Sequence, residues 1–77
     1  MTLDQLESGQ TCVIDHVDTS DPAVLRLMTL GLVEGSEIEL ASTAIGGDPL
    51  EFHLYGNAIS LRREQARYIQ VSPKAGA

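Results

Sequence analysis

Three side chains of this sequence could ligate a transition metal or act as a nucleophile or base: Cys12, His16 and His53. Cys12 and His16 lie four residues apart, a spacing that places two ligands on one face of a helix. Residues 11–17 mix β-branched and polar residues as a strand does, and on a strand this spacing separates the pair by about 13 Å. Metal ligands approach zinc to about 2.0–2.3 Å, so the spacing does not support a shared site. We expect no metal and no other cofactor. The alternative is that Fe(II) binds at Cys12, His16 or His53, which are weak candidates.

The sequence lacks the motifs that common catalytic mechanisms require. It contains no G-x-S-x-G nucleophile elbow, no glycine-rich phosphate loop and no motif of paired carboxylates. Gly46 and Gly47 precede Asp48 and Pro49 rather than a lysine and a helix, so we expect a turn there and no bound phosphate. We therefore predict that the protein is not an enzyme.

The balance of charges excludes several kinds of partner. Eleven acidic residues against five basic ones give a formal net charge of −6. Such a surface repels phosphate backbones and anionic lipids, so we expect no nucleic-acid partner. The longest apolar run is far short of the roughly 20 residues that a membrane helix needs, so we expect no direct membrane insertion. The acidic residues Asp15, Asp18 and Asp21 are expected to form a charged loop and a helix cap. Cys12 is the single cysteine, which excludes an intramolecular disulfide, and we expect a cytoplasmic protein.

Residues 21–30 have the sequence features of an amphipathic helix. Asp21 can cap its start, Pro22 suits its first turn, and Gly31 can end it in a left-handed conformation. The apolar side chains that we expect to be buried on one face are Val24, Leu25, Leu27 and Met28. Leu30 lies off this stripe, near the end of the helix.

Beyond this helix the sequence predicts several short strands. Ile38 and Leu40 alternate with glutamates, as in a half-buried strand. The later predicted elements are strands at residues 51–55 and 58–62, a helical turn at 63–66 and a last strand at 68–71. Short strands with tight turns predict a small closed barrel, and a helical turn before the last strand is typical of SH3-like barrels. We predict a mainly β fold, an SH3-like barrel of about five short strands with one capping α-helix.

Gly56 and Asn57 separate the two strands of a predicted hairpin, and both tolerate a positive φ. If they form its turn, apolar pairs lie on one side and an opposite-charge pair on the other. The facing pairs are then Leu54 with Ile59, Phe52 with Leu61, and Glu51 with Arg62. Three aromatic residues are too few to line a groove for proline-rich peptides, so we do not expect that kind of ligand.

The chain is expected to form one domain over residues 1–72, followed by a flexible tail at 73–77. Apart from Lys74, that tail consists of proline, alanine and glycine. Near the other end, Leu3 and Leu6 are spaced for a short helical turn or an apolar clip onto the body of the domain.

From residue 27 to residue 71 the sequence resembles the FeoA family. The matching residues are Leu27-x-x-Leu30-Gly31-Leu32-x-x-Gly35, Gly47-Asp48-Pro49-Leu50, and Ile59-x-Leu61-Arg62 with Ala66-x-x-Ile69-x-Val71. Each piece is common, whereas their order and spacing together are specific. The resemblance implies a non-catalytic cytoplasmic protein of bacterial ferrous iron uptake, which binds and modulates FeoB, a membrane transporter with a cytosolic GTPase domain. The alternative is a stand-alone metal-binding protein, or an accessory domain acting with a metal-dependent transcriptional regulator.

The resemblance and the local turn patterns together indicate which positions matter. The candidate partner-binding residues are Leu30, Leu32, Asp48, Pro49 and Arg62. The residues expected to form turns are Gly31, Gly35, Gly47, Gly56 and Asn57. Leu30 and Leu32 flank a bend, where an apolar side chain can either fill the barrel or anchor a partner. Self-association stays open.

Overall fold

Residues 1–74 are described by a computed structural model. One antiparallel sheet contains all five strands in the order β4-β3-β2-β1-β5. The elements are β1 (Thr11–Val17), α1 (Pro22–Leu27), β2 (Glu37–Thr43), β3 (Leu50–Leu54), β4 (Asn57–Leu61), α2 (Arg63–Ala66) and β5 (Ile69–Pro73), with 3₁₀ turns at Leu3–Gln5 and Met28–Leu30. The mainly β architecture, with a helix after β1 and a helical turn before the last strand, is therefore as predicted.

The core is formed by aliphatic side chains from every strand, together with Phe52. Its largest fully buried side chains are Phe52, Leu3, Ile14, Leu32, Ile38, Leu40, Leu50, Leu54, Leu61, Ile69, Val24 and Val71. Leu3 lies in the first 3₁₀ turn and Leu6 follows it, so the amino-terminal segment does pack onto the body of the domain. Within residues 1–74, no helix is long and apolar enough to span a bilayer.

A β-bulge in β1 explains how this strand faces the core. Cys12 and Ile14 are buried, as alternation requires, yet the next buried residue is Val17. The register with β5 shifts between Ile14 and His16, which leaves Asp15 as the extra residue of the bulge. The bulge reverses the alternation, so Cys12, Ile14 and Val17 all face the core although they do not follow one two-residue repeat.

The predicted helix begins as expected but buries a narrower face. The Asp21 carboxylate accepts a hydrogen bond from the Ala23 N–H at 2.8 Å, and Gly31 ends the segment with φ of 100°. Val24 is fully buried, and Leu27 and Met28 pack partly against the core. The prediction that Leu25 is buried is wrong: this side chain is 52% exposed. Residues at i, i+3 and i+4 share one face, whereas Leu25 lies about 100° around the axis from Val24.

The β3–β4 hairpin forms, but its predicted turn and register are wrong. The turn residues are Tyr55 and Gly56, with φ of 51° and 78°, and Asn57 is the first residue of β4. The facing pairs are Leu54 with Asn57, Phe52 with Ile59, Glu51 with Ser60, and Leu50 with Leu61. A type I′ turn favours glycine at its second central position, as in Asn-Gly, and this preference places Tyr55 first. The same side chains still face the core, because the pairing shifts by two residues.

The last strand reaches the predicted boundary between the domain and its tail. Strand β5 continues to Pro73, and the Lys74 ammonium lies 3.2 Å from a Glu37 carboxylate oxygen. The strand therefore includes Pro73, the first residue of the predicted tail, and the flexibility of the tail stays a prediction. The rest of the predicted tail, residues 75–77, lies outside the described residues.

A candidate binding groove at one end of the sheet

The structure separates the three candidate metal ligands. Cys12 is buried in the core, where burial and then the nearby charge of Asp15 raise the pKa of its thiol to about 11. His16 is exposed, with its Nδ1 atom 3.5 Å from Glu34. His53 is exposed on β3, with its Nδ1 atom 3.6 Å from Glu39. A neutral, buried thiol is a poor ligand, and no group of three His, Cys, Asp or Glu side chains within residues 1–74 is arranged to hold a metal ion.

The acidic residues before α1 each have a local partner. Asp15 accepts a hydrogen bond from the Ser72 hydroxyl. Asp18 accepts one from the Ser20 N–H at 3.0 Å, and hydrogen bonding from Ser20 lowers the pKa of this carboxyl. Asp21 caps α1. These contacts fit the predicted charged loop and helix cap.

Leu30 and Leu32 have opposite environments although only Gly31 separates them. Leu32 is fully buried in the core, so it fills the domain and is not available as a surface anchor. Leu30 is 58% exposed. Leu32 therefore fills the core, whereas the exposed Leu30 is available to anchor a partner.

Three of the candidate partner-binding residues meet at the start of β3. Asp48, Pro49 and Arg62 line a hollow of about 310 Å³, which we call the corner hollow. The Asp48 carboxylate accepts a hydrogen bond from the Arg63 N–H at 3.0 Å. The predicted pair of Arg62 with Glu51 is wrong, since Glu51 faces Ser60 and accepts a hydrogen bond from its hydroxyl at 3.2 Å.

Arg63, the neighbour of Arg62, ties the corner hollow to the rest of the molecule. Its Nε–H donates to the Gly47 carbonyl and its Nη1 group donates to the Asp4 carbonyl, each at 3.0 Å. Gly47 itself has φ of 89°, a left-handed conformation that favours glycine. The side chains around this corner thus serve to hold the turn before β3 against α2 and the amino-terminal segment.

The opposite end of β3 carries a larger depression, which we call the acidic groove. It has a volume of about 440 Å³. Its lining includes Thr11, Glu37, Ile38, Glu39, His53 and Tyr55. Glu39 faces His53 across β2 and β3, so the two strands place these side chains at the groove by their register.

Tyr55 forms a fixed aromatic wall of the acidic groove. Its side chain is 69% exposed, yet its hydroxyl lies 2.9 Å from the Ser36 Oγ. Ser36 is buried and donates to the Gly31 carbonyl at 3.0 Å, so the Tyr55 hydroxyl is the donor to Ser36. A Cβ added to Gly31 would lie 3.2 Å from the Tyr55 ring. These contacts hold the exposed ring in one orientation.

Sequence reasoning missed the acidic groove. The alternation with Ile38 and Leu40 predicts Glu37 and Glu39 only on the outer face of a strand, and the predicted strand 51–55 includes Tyr55, which lies in the turn. The signal that was available is the Tyr-Gly order, because a glycine at the second turn position predicts that the residue before it also adopts a positive φ. The contact between Tyr55 and Ser36 joins residues far apart in sequence and has no local signal.

A single antiparallel sheet around one aliphatic core, with a short helix after β1 and a helical turn before β5, defines a small SH3-like domain. The FeoA domain model matches residues 1–73, and the chain belongs to the FeoA family. The resemblance noted from the sequence is therefore confirmed, and so is the SH3-like fold, since the structure superimposes on a relative described as an SH3 domain protein.

Two solved structures illustrate the likeness. The FeoA protein from Chlorobium tepidum is 37% identical with a TM-score of 0.90, and the match covers 100% of this chain and 73% of that chain. FeoA from Stenotrophomonas maltophilia, solved as a complex with zinc, is 29% identical with a TM-score of 0.84, covering 94% of this chain and 89% of that chain.

A curated relative places this kind of domain within a much longer chain. It is an Fe(2+) transport protein A/Fe(2+) transporter FeoB fusion protein of Porphyromonas gingivalis, 32% identical over 71 residues. The match covers 92% of this chain and 8% of the fusion protein. The chain therefore spans less than a tenth of the length of that relative.

Proposed function

We propose that this protein is a cytoplasmic accessory protein of bacterial ferrous iron uptake, which binds the cytosolic region of an FeoB-type membrane transporter and modulates it. The proposal rests on membership of the FeoA family and on one observation in particular. In the P. gingivalis relative, a segment similar to this chain and an FeoB transporter share one polypeptide. Covalent fusion maintains a high effective concentration of one module near another, which favours their association.

The proposed role requires neither catalysis nor a bound cofactor. Cys12 is a buried thiol whose pKa is raised, and His16 and His53 each lie beside a different glutamate. The relative from S. maltophilia was solved with zinc, but Cys12, His16 and His53 of this chain are not arranged to share one zinc ion. We therefore propose no metal at these three side chains. A titration with Fe(II) and Zn(II) checks the assignment. Stoichiometric binding that weakens in Cys12→Ser or His16→Ala would support the alternative of a metal-binding protein.

Co-purification with the cytosolic region of the transporter tests the proposed function. We expect the wild-type protein to associate with this region in at least one of three states: nucleotide-free, GDP-bound or GTP-bound. An unrelated GTPase domain serves as the control and should not bind. The account predicts slower ferrous iron uptake in a strain that lacks the gene. Lack of association in all three states, together with unchanged uptake, contradicts the proposal.

A further inference from the structure

We infer that the acidic groove binds an arginine side chain of the transporter's cytosolic region. This inference rests on the proposed function and assigns it a surface. The groove combines an exposed, fixed aromatic ring with two carboxylates, those of Glu37 and Glu39. Its volume of about 440 Å³ lies within the range of about 300–1,000 Å³ that is usual for ligand pockets.

The Tyr55 ring suits a guanidinium group by its position and its rigidity. Arginine stacks on aromatic faces through cation–π and planar contacts, and tyrosine is a common anchor in interfaces. An exposed ring ordinarily loses rotational freedom when it becomes part of an interface. The hydroxyl contact with Ser36 and the close approach to Gly31 have already restricted this ring. Binding to it therefore carries a small entropic cost.

The two glutamates select a cation as the occupant. Their own partners are the Lys74 ammonium, 3.2 Å from Glu37, and the His53 ring, 3.6 Å from Glu39. All four side chains are substantially exposed, and exposed ion pairs are weak, so an incoming cation can displace these partners. Arginine suits the site better than lysine, because a planar guanidinium can stack on Tyr55 while it pairs with a carboxylate.

The corner hollow does not offer the same chemistry. Asp48 and Arg62 both line it and Arg63 crosses beside it, so acidic and basic side chains are mixed there. A cationic segment meets like charges at the corner hollow, whereas Glu37 and Glu39 favour its approach to the other end of β3.

Isothermal titration calorimetry with the transporter's cytosolic region tests this assignment. We expect Glu37→Gln/Glu39→Gln to weaken binding about three- to tenfold at low salt, and Tyr55→Ala to weaken it by a similar factor. The matched control, Glu51→Gln/Glu64→Gln, removes the same charge elsewhere and should change affinity less than twofold. Lys74→Gln removes a competing cation and should strengthen binding. Circular dichroism of each variant confirms that it is folded.

The outcomes separate this inference from the proposed function. If the transporter region binds the wild type and Glu37→Gln/Glu39→Gln equally well, the groove assignment is overturned while the proposed function stands. If the region does not bind the wild type, the proposed function fails. An NMR titration then tests whether the groove binds arginine on its own. It uses a synthetic peptide that carries two arginines, and the control is the same peptide with glutamates in their place. Shifts of the Glu37, Glu39 and Gly56 amides with the arginine peptide alone support the groove, and their absence refutes it.

Discussion

The two ends of strand β3 show how differently a small domain can use its charged residues. At the start of the strand, Asp48 and Arg63 are engaged in hydrogen bonds to the backbone of other segments. At its end, Glu37 and Glu39 form only exposed ion pairs, and Tyr55 presents most of its ring to solvent. Charged groups that satisfy buried or partly buried backbone atoms contribute to stability, whereas exposed pairs contribute little and stay available to a partner. The charged side chains at the corner hollow thus stabilise the fold, whereas those of the acidic groove are available to the partner that we propose.

The largest expected effect separates Leu32 from Leu30 at the bend that leads to the groove. Leu32→Ala removes a fully buried side chain and should lower the free energy of unfolding by about 2–5 kcal/mol. Leu30→Ala alters an exposed side chain and should change it by less than about 0.5 kcal/mol. Urea denaturation of both variants measures the difference. If both variants lost the same free energy of unfolding, the assignment of Leu32 to the core and Leu30 to the surface would be wrong.

A second pair of variants compares glycines near the two ends of β3. Gly31 and Gly47 both have positive φ, so alanine at either position is strained by about 1–2 kcal/mol. At Gly31 the new Cβ also meets the Tyr55 ring at 3.2 Å, whereas at Gly47 the nearest atom is an Arg63 nitrogen at 3.7 Å. We expect Gly31→Ala to cost more stability than Gly47→Ala in urea denaturation. The reverse order would contradict the close packing of Tyr55.

A third comparison uses two neighbouring arginines at the corner hollow. Arg63→Ala removes the donors to the Gly47 and Asp4 carbonyls and should lower the free energy of unfolding by about 1–3 kcal/mol. Arg62→Ala alters an exposed side chain and should cost less than about 0.5 kcal/mol. Thermal denaturation gives the stabilities. If Arg62→Ala leaves stability intact but abolishes association with the transporter region, the corner hollow, not the groove, is the partner surface.

The smallest expected effect belongs to the hydroxyl of Tyr55. Tyr55→Phe keeps the ring and removes the hydrogen bond to Ser36, which still donates to the Gly31 carbonyl. Because no buried group loses its last partner, the free energy of unfolding should fall by about 0.5–1.5 kcal/mol. NMR of the ring protons should show that the ring at position 55 samples a wider range of orientations in this variant. Unchanged ring-proton signals would mean that packing against Gly31 is sufficient to orient the ring at position 55.

Local patterns predicted much of the fold, because they express local physics. The Asp21 cap, the Gly31 helix end and the alternation at Ile38 and Leu40 all depend on neighbours in sequence. The β1 bulge was not predictable in this way, since its position depends on pairing with β5 far along the chain. The burial of Leu25 was overestimated because a six-residue helix presents only a narrow face to the core.

The candidate site was less predictable than the fold. The family motif led to Asp48, Pro49 and Arg62, and these residues do share one hollow. The groove instead combines side chains from β2, the β3–β4 turn and β1, which only the register of the sheet brings together. The predicted hairpin turn is off by one position, which places Tyr55 in a strand and misses its position in the lining of the acidic groove.

Mapping the partner onto the protein by NMR tests the central claim most directly. The experiment follows the backbone amides of the isotope-labelled protein as the cytosolic region of the transporter is added. The account predicts that the amides of Gly35, Glu37, Glu39 and Gly56 shift or broaden first, while those of Gly47 and Arg63 change little. Changes confined to the Gly47 and Arg63 amides, with the groove unaffected, would contradict it.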